Sequence, residues 1–385
     1  MTRVLVAKER AAGETRVAAT AETVRQLAKA GLQVEVESGA GDGSFIADAL
    51  YVEAGATIAS DAAAAWKAAD LVVKVQAPAN YDGFGNESEL LKEGAAIIAF
   101  LSPYGQDDAV RSYARRQITT LPMEFVPRIT RAQKMDALSS QASLAGYKAV
   151  LIAASRLPKY FPLLMTAAGT VKPARVVIMG AGVAGLQAIA TAKRLGAVVE
   201  ASDIREAVKE QIESLGGKFI PLPESEESGE GSGGYARQVS AEYLKKQQEI
   251  VAMHVSAADV VITTALIPGR PAPKLLTAAM VSAMKPGAVI VDLAVAQGGN
   301  CEHSCADQEV VESGVTIIAP SNIAASMPAD ASMLYARNVS ALVLHLLKEE
   351  QLHFDLEDDV TSGTLLTHQG KIVHAQTREL LGEGS

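Results

Sequence analysis

No apolar run in this chain approaches the roughly 18 to 20 residues that a bilayer-spanning helix needs. The longest, Ala95 to Leu101, is strand-sized. Direct membrane insertion is thereby excluded, and any membrane association has to come through a partner. The N-terminus lacks signal-peptide architecture, since its short apolar run lies between Arg3 and Lys8 and reads as a first strand. Positive charge is in deficit: 35 Lys and Arg stand against 44 Asp and Glu, a net charge of −9, which excludes the basic face that nucleic acid requires. Only two cysteines occur, Cys301 and Cys305, spaced C-x3-C around His303 with no second ligand pair. That spacing suits neither zinc nor a C-x2-C redox pair, so no metal is expected, and two reduced thiols fit a cytoplasmic protein. Histidine does not occur before His254; the six are His254, His303, His345, His353, His368 and His374.

What remains is a globular composition, 49% hydrophobic and 21% charged, in 385 residues, long enough for two separate cores. Strand-like runs at Arg3 to Ala7, Gln33 to Glu37, Leu71 to Val75, Ala96 to Phe100 and Ile118 to Leu121 alternate with amphipathic helices such as Thr20 to Ala30 and Asp107 to Arg116. Such alternation implies a parallel sheet covered by helices. A helix-prone stretch, Met135 to Arg156, is closed by Pro158. A second alternating set follows, with strands at Arg175 to Met179, Val198 to Ser202, Lys218 to Leu222, Val260 to Thr264, Ala288 to Leu293 and Thr316 to Ala319. Another helix, Ala329 to Lys348, leads to short strands at Thr364 to Thr367 and Lys371 to His374. The expected fold is α/β: two Rossmann-like, doubly wound parallel-sheet domains joined by long helices with a cleft between them. The first comprises residues 1–140 plus 326–385, the second residues 141–325.

The second domain opens on Val176-Val-Ile-Met-Gly-Ala-Gly-Val-Ala-Gly185, an apolar strand running into Gly180, Gly182 and Gly185 and then a helix. The next apolar run ends at Asp203, eighteen residues after Gly185. In such a unit the first glycine permits the tight turn and the second lets backbone approach a pyrophosphate. The third lets helix and strand pack closely, with the phosphates at the helix's positive end. Asp203 would accept hydrogen bonds from the adenosine ribose and repel a 2′-phosphate, favouring NAD(H) over NADP(H), with Arg205 near the adenine. Losing that ribose pairing should cost about 1 to 3 kcal/mol.

Oxidising a hydroxy or amino acid requires a base for the O–H or N–H proton, usually histidine. The first domain up to residue 140 has none. Hydride transfer between two nicotinamide rings moves no such proton and needs only positioned rings and excluded water. Candidates for positioning lie in Pro127 to Ser140, where Arg128, Gln133, Asp136 and Ser139 could clamp a carboxamide and a ribose. A helix cap with solvated charges is an equal reading of the same residues. The acidic, Gly/Ser-rich stretch Pro221 to Ser240 reads either as a solvated loop or as a lid whose Tyr235 closes over nucleotide.

At these residues the chain resembles the NAD(H)-binding component of proton-translocating nicotinamide nucleotide transhydrogenase. The likeness runs from Ala7-Lys-Glu-Arg and Glu14-Thr-Arg-Val through the Arg128 to Gly146 stretch, Met165-Thr-Ala-Ala-Gly-Thr and the glycine turn. It continues through Gly233-Gly-Tyr-Ala, Thr263-Thr-Ala-Leu-Ile-Pro-Gly and Val291-Asp-Leu-Ala. The resemblance implies that Arg128, Gln133, Asp136 and Ser139 organise the nicotinamide, with Ile129 beside them. Gly180, Gly182, Val183 and Gly185 would hold the pyrophosphate, and Asp203, Ile204 and Arg205 the adenosine. Gly234, Tyr235 and Ala236 would form the lid, and Thr264 and Leu266 would line the pocket. It further implies a homodimer that binds NAD(H) and docks an NADP(H)-binding subunit, with a membrane subunit conducting protons. Location at the cytoplasmic face of the inner membrane would follow through those partners. Ending at Ser385, the chain fits the split, soluble form.

The alternative is a related NAD-dependent alanine dehydrogenase. Arg16 and Lys74 match positions that grip substrate carboxylate there, but the catalytic histidine position carries Phe100 and the catalytic aspartate position carries Ala296. Both proton-handling groups are missing. A third reading is a nucleotide-binding regulator without catalysis of its own.

Overall fold

The computed structural model describes residues 1–221, 241–267 and 269–382. The chain divides into two units, Met1–Gln141 with Ala325–Ser385, and Ala142–Ala324.

The first unit is built on an eight-stranded sheet. Its order is Lys371–Ile372, Thr367–His368, Thr119–Pro122, Ala96–Ala99, Leu71–Val73, Arg3–Val6, Gln33–Glu37 and Thr57–Ala59. Six of these strands run parallel, and the tail hairpin joins antiparallel through Thr367 opposite Thr120. Central strands covered on both faces read as unbroken apolar runs because every side chain is buried. Thus Val4, Val6, Val73 and Ile98 pack with Val339, Leu342 and Val343 of the Pro328–Leu346 helix, while Leu5, Val72 and Ile97 pack with Trp66, Leu91 and Tyr113.

The second unit carries a seven-stranded sheet in the order Lys218–Phe219, Val198–Ser202, Arg175–Met179, Val260–Thr263, Val289–Asp292, Val315–Ile318 and Glu309–Glu312, only the last antiparallel. The chain winds outward from Arg175–Met179 to one edge and then crosses back to Val260–Thr263, so the strand order reverses between these two neighbours. Ligands of open α/β sheets bind outside the carboxyl ends of the strands at such a reversal. The helix Ala137–Arg156 comes close to the helix that opens this unit's first crossover: a Cβ on Gly146 would fall 2.0 Å from the carbonyl oxygen of Ala184.

Several short elements differ from the sequence expectations, including antiparallel pairs at Asn80–Tyr81 with Gly85–Asn86, Leu164–Thr166 with Gly169–Val171 and Leu347–Lys348 with Gln351–Leu352. Thr57–Ala59 and Glu309–Glu312 are additional strands, each at a sheet edge. Thr364 ends a helix, Asp359–Thr364, that Asp358 caps by accepting from the Thr361 amide at 2.8 Å; the strand begins only at Thr367. Among the described residues no helix is long and apolar enough to cross a membrane.

Candidate functional site

At the reversal point Met179 is paired with Ser202 on one side and Thr263 on the other, and the chain leaves the sheet through Gly180. Gly180 has φ +101°, a left-handed conformation that favours glycine, and a Cβ there would meet the Thr264 hydroxyl at 2.6 Å. Instead Thr264 Oγ1 donates to the Gly180 carbonyl at 3.0 Å, tying the turn to the neighbouring strand. Gly185 lies against the same carbonyl, with room for no side chain. Gly182 differs. It precedes the Val183–Arg194 helix with no side-chain cap, and a Cβ placed on it meets nothing within 4 Å among the described residues. The helix therefore presents amides of its first turn beside open space, an arrangement that suits a pyrophosphate. Val183 and Leu266 are exposed, and Ile204 is half-buried.

Asp203 follows the adjacent strand and is nearly buried. Its Oδ2 accepts from the Ala181 amide at 2.7 Å and from Arg205 Nη2 at 2.9 Å, while Oδ1 accepts from Arg205 N and Nε, both at 2.9 Å. The structure thus brings Gly180, Gly182, Gly185, Asp203, Arg205 and Thr264 together, but Arg205 lies on the carboxylate rather than standing apart from it.

Two residues outside the sequence-derived set hold this region. Asn300 accepts from the Ala265 amide at 3.0 Å and donates to the carbonyls of Ala265 (2.9 Å) and Pro273 (2.8 Å). Asp292 is buried and accepts from Thr263 Oγ1, Ser304 Oγ and the amides of Ala294, Asn300 and Cys301. Their only sequence signals were a strand ending in an acid and a polar residue after a glycine pair. Cys301 is buried, Cys305 exposed, and both are free thiols.

In the first unit, Pro127, Arg128, Ile129, Thr130, Gln133 and Asp136 line a hollow of about 380 Å³. A 3₁₀ turn, Thr130–Met135, sets Gln133 on the surface and delivers Asp136 to the start of the long helix. There the Asp136 carboxylate accepts from the Ser139 amide at 2.8 Å and the Ser139 hydroxyl at 2.6 Å. Asp136 and Ser139 therefore cap the helix, and Ser139 touches the hollow only through Asp136. Gly234, Tyr235 and Ala236 lie outside the described residues.

Arg16 and Lys74, which the sequence matched to carboxylate-gripping positions, each lie against carboxylates of this chain. Arg16 donates to both oxygens of Glu14 at 2.8 and 2.7 Å and to Gln141 Oε1 at 2.9 Å. Lys74 Nζ lies 2.9 Å from Glu87 and 3.5 Å from Glu9. Burial opposes ionisation of Glu14, but hydrogen bonds and charge from Arg16, with Gln76, hold its carboxyl down at about 2. Burial pushes Glu9 up to about 7, against the nearby Lys74 charge. Phe100 is packed on the Tyr335 ring, centroids 5.2 Å apart, and Ala296 sits in the 3₁₀ turn Val295–Gln297.

Two family models match this chain: the alanine dehydrogenase/PNT N-terminal domain at residues 5–145 and the C-terminal domain at residues 149–375. The chain belongs to the alanine dehydrogenase/PNT family. Within it, a curated NAD(P) transhydrogenase alpha-subunit chain from Rhodospirillum rubrum is 50% identical, covering 100% of each chain. The crystal structure of a transhydrogenase from Sinorhizobium meliloti superimposes with TM-score 0.85 at 46% identity, covering 96% of this chain and 100% of that one. An L-alanine dehydrogenase structure gives TM-score 0.82 at 26% identity over 99% of each. Both sheets are thus of the Rossmann-like type shared by these proteins.

Proposed function

We propose that this chain holds NAD(H) and exchanges hydride directly with NADP(H) held by a separate subunit, in an assembly whose membrane part moves protons. The observation that carries the reading is the closure of Arg16 by Glu14 and Gln141. The family fold is kept, yet the carboxylate grip of an amino-acid dehydrogenase is filled from within. Phe100 and Ala296 supply no base at the positions where proton transfer would be needed.

In this reading the pyrophosphate lies at the open face of Gly182, against the first amides of the Val183–Arg194 helix, with Val183 beside it. Asp203 takes the adenosine ribose, favouring NAD(H) over NADP(H), with Ile204 and Arg205 adjoining and Thr264 and Leu266 along the wall. Arg128, Ile129 and Gln133, with Asp136 fixed by Ser139, take the nicotinamide end. Bound NADH would supply the redox chemistry, a hydride lost from its ring and taken up by NADP⁺ held on the partner. The chain's own contribution is to orient the ring and exclude water; no side chain has to gain or lose a proton. A homodimer at the cytoplasmic face of the membrane, docked to an NADP(H)-binding subunit and a proton-conducting membrane subunit, completes the proposal. Gly234, Tyr235 and Ala236 are assigned the closing role only by family resemblance.

The test is functional and simple. The isolated chain binds NADH, leaves alanine unoxidised, and reduces NADP⁺ only once an NADP(H)-binding partner is added. Steady consumption of pyruvate, ammonia and NADH by the pure chain favours the dehydrogenase instead. Binding without transfer in the presence of that partner favours a regulator.

A further inference from the structure

We propose that Arg205 is a displaceable occupant of the ribose site, competing with the nucleotide for Asp203 and thereby weakening NAD(H) binding. The inference rests on the reading that Asp203 receives the adenosine ribose, and it adds what the carboxylate does before the ribose arrives.

An ionised carboxylate offers about four acceptor positions. At Asp203 four donors occupy them: Ala181 N and Arg205 Nη2 on Oδ2, Arg205 N and Nε on Oδ1. Two of these donors are backbone amides. Ala181 N is fixed by the preceding Gly180, whose amide donates to the Ser202 carbonyl and whose carbonyl accepts from Thr264 Oγ1, and Arg205 N by its closeness in sequence. The other two belong to the guanidinium edge. A ribose presents two vicinal hydroxyls, and the only acceptor positions that can be vacated for them are those of Nε and Nη2. The guanidinium therefore stands in for the diol, one fork of two donors for another. Its side chain is 13% exposed and so reaches water, whereas the carboxylate, 6% exposed, keeps its two backbone donors and has two acceptor positions to fill when the guanidinium leaves.

Binding then exchanges an intramolecular charged pair for hydrogen bonds to a neutral diol, so part of the nucleotide's interaction energy is used to break the pair. A nucleotide that must be taken up and released in every turnover gains a faster off-rate from such a competitor. Swinging away also leaves Asp203 with its negative charge uncompensated, which strengthens discrimination against a 2′-phosphate.

The experiment titrates NADH into the full chain and into its Arg205→Ala, Arg205→Lys, Asp203→Ala and Arg205→Ala/Asp203→Ala variants. Titrations are followed by nicotinamide fluorescence and by thermal melting with and without NADH. Arg205→Ala should bind NADH roughly five- to tenfold more tightly. It should also melt lower when free and show a larger NADH-induced rise. Arg205→Lys, which keeps the charge but loses the fork, falls between and serves if the alanine variant does not fold. The double variant should gain nothing over Asp203→Ala. Unchanged or weaker NADH binding by Arg205→Ala, or by Arg205→Lys in its place, overturns the proposal. If Asp203→Ala binds NADH as well as the unaltered chain, the ribose reading itself fails, a distinct outcome.

Discussion

A Cβ on Gly185 would lie 1.9 Å from the carbonyl oxygen of Gly180, closer than any two such atoms can stand. The helix and the turn are therefore in backbone contact, while three residues earlier Gly182 faces open space. One motif thus contains a packing glycine and an access glycine, and the two respond differently to the same substitution. Gly185→Ala should destabilise the second unit by on the order of 3 kcal/mol. Gly182→Ala, at a helix N-cap with φ −74° and nothing within 4 Å among the described residues, should change stability by no more than about 1 kcal/mol. It should nonetheless weaken NADH binding about tenfold or more, because the new methyl stands where the pyrophosphate approaches. Melting curves paired with NADH titration check both, and undiminished binding by Gly182→Ala removes the pyrophosphate from this turn.

Gln133 lines the first unit's hollow from an exposed 3₁₀ turn, whereas Asp136 is held by Ser139. Shortening Gln133 to Asn should slow hydride transfer by roughly 10- to 100-fold, since ring placement is sensitive to small displacements. NADH affinity should change by no more than about threefold. Single-turnover transfer beside equilibrium binding separates the two, and equal losses in both contradict a placing role.

Glu9 and Glu14 sit in one buried ionic cluster yet load stability with opposite slopes. Glu9 faces Lys74, the Val75 amide, Glu14 and Glu87, and its folded value of about 7 stands above the ordinary 4.5. Between those values the unfolded chain has released a proton that the folded chain still holds. Stability therefore falls as pH rises from about 4.5 through 7, by up to roughly 3 kcal/mol, and levels off above. Glu9→Gln should remove this decline, so its stability relative to the unaltered chain improves from pH 5 to pH 8. Parallel pH dependence of the two melting temperatures contradicts the assignment.

Glu14, held at about 2 against an ordinary 4.5, contributes stability that is present above pH 4.5 and lost as pH falls through 2. Its removal by Glu14→Gln takes the paired carboxylate away from the buried Arg16 and should cost roughly 3 kcal/mol or more at neutral pH. No alanine oxidation should appear in that variant, because in the proposed reading Phe100 and Ala296 stand where a proton-handling group would be needed. Alanine-dependent NADH formation by that variant shows that a base has been overlooked.

Much of this was legible in the sequence for physical reasons. Strands buried on both faces, such as Val176 to Met179, must be apolar throughout, and the turn after them needs glycine at 180 and 185, so residue type alone marks the unit. The three-residue strand Thr57–Ala59 was too short to carry a period, and Glu309–Glu312, an edge strand flanked by acids, resembles a loop. The charge cluster was hidden differently. Lys74 gave no sign that Glu9 and Glu87, distant in sequence, converge on it, and Arg16 gave none that Glu14 turns back to meet it. Nor can two positions of separation reveal whether Arg205 folds onto Asp203 or leaves it open. Partners set by tertiary folding leave no local pattern.

The central claim is that hydride passes from ring to ring with no titrating group of this chain between them. Its most direct test is a single turnover of NADH carrying deuterium at the transferred C4 position, with the chain, an NADP(H)-binding partner and NADP⁺ in ordinary water. The account predicts that all the transferred deuterium is recovered in NADPH, none is washed into solvent, and the rate of that step shows no bell-shaped dependence on pH. Solvent hydrogen appearing at C4 of NADPH, or a bell-shaped profile supported by a small organic acid with this chain alone, would contradict it.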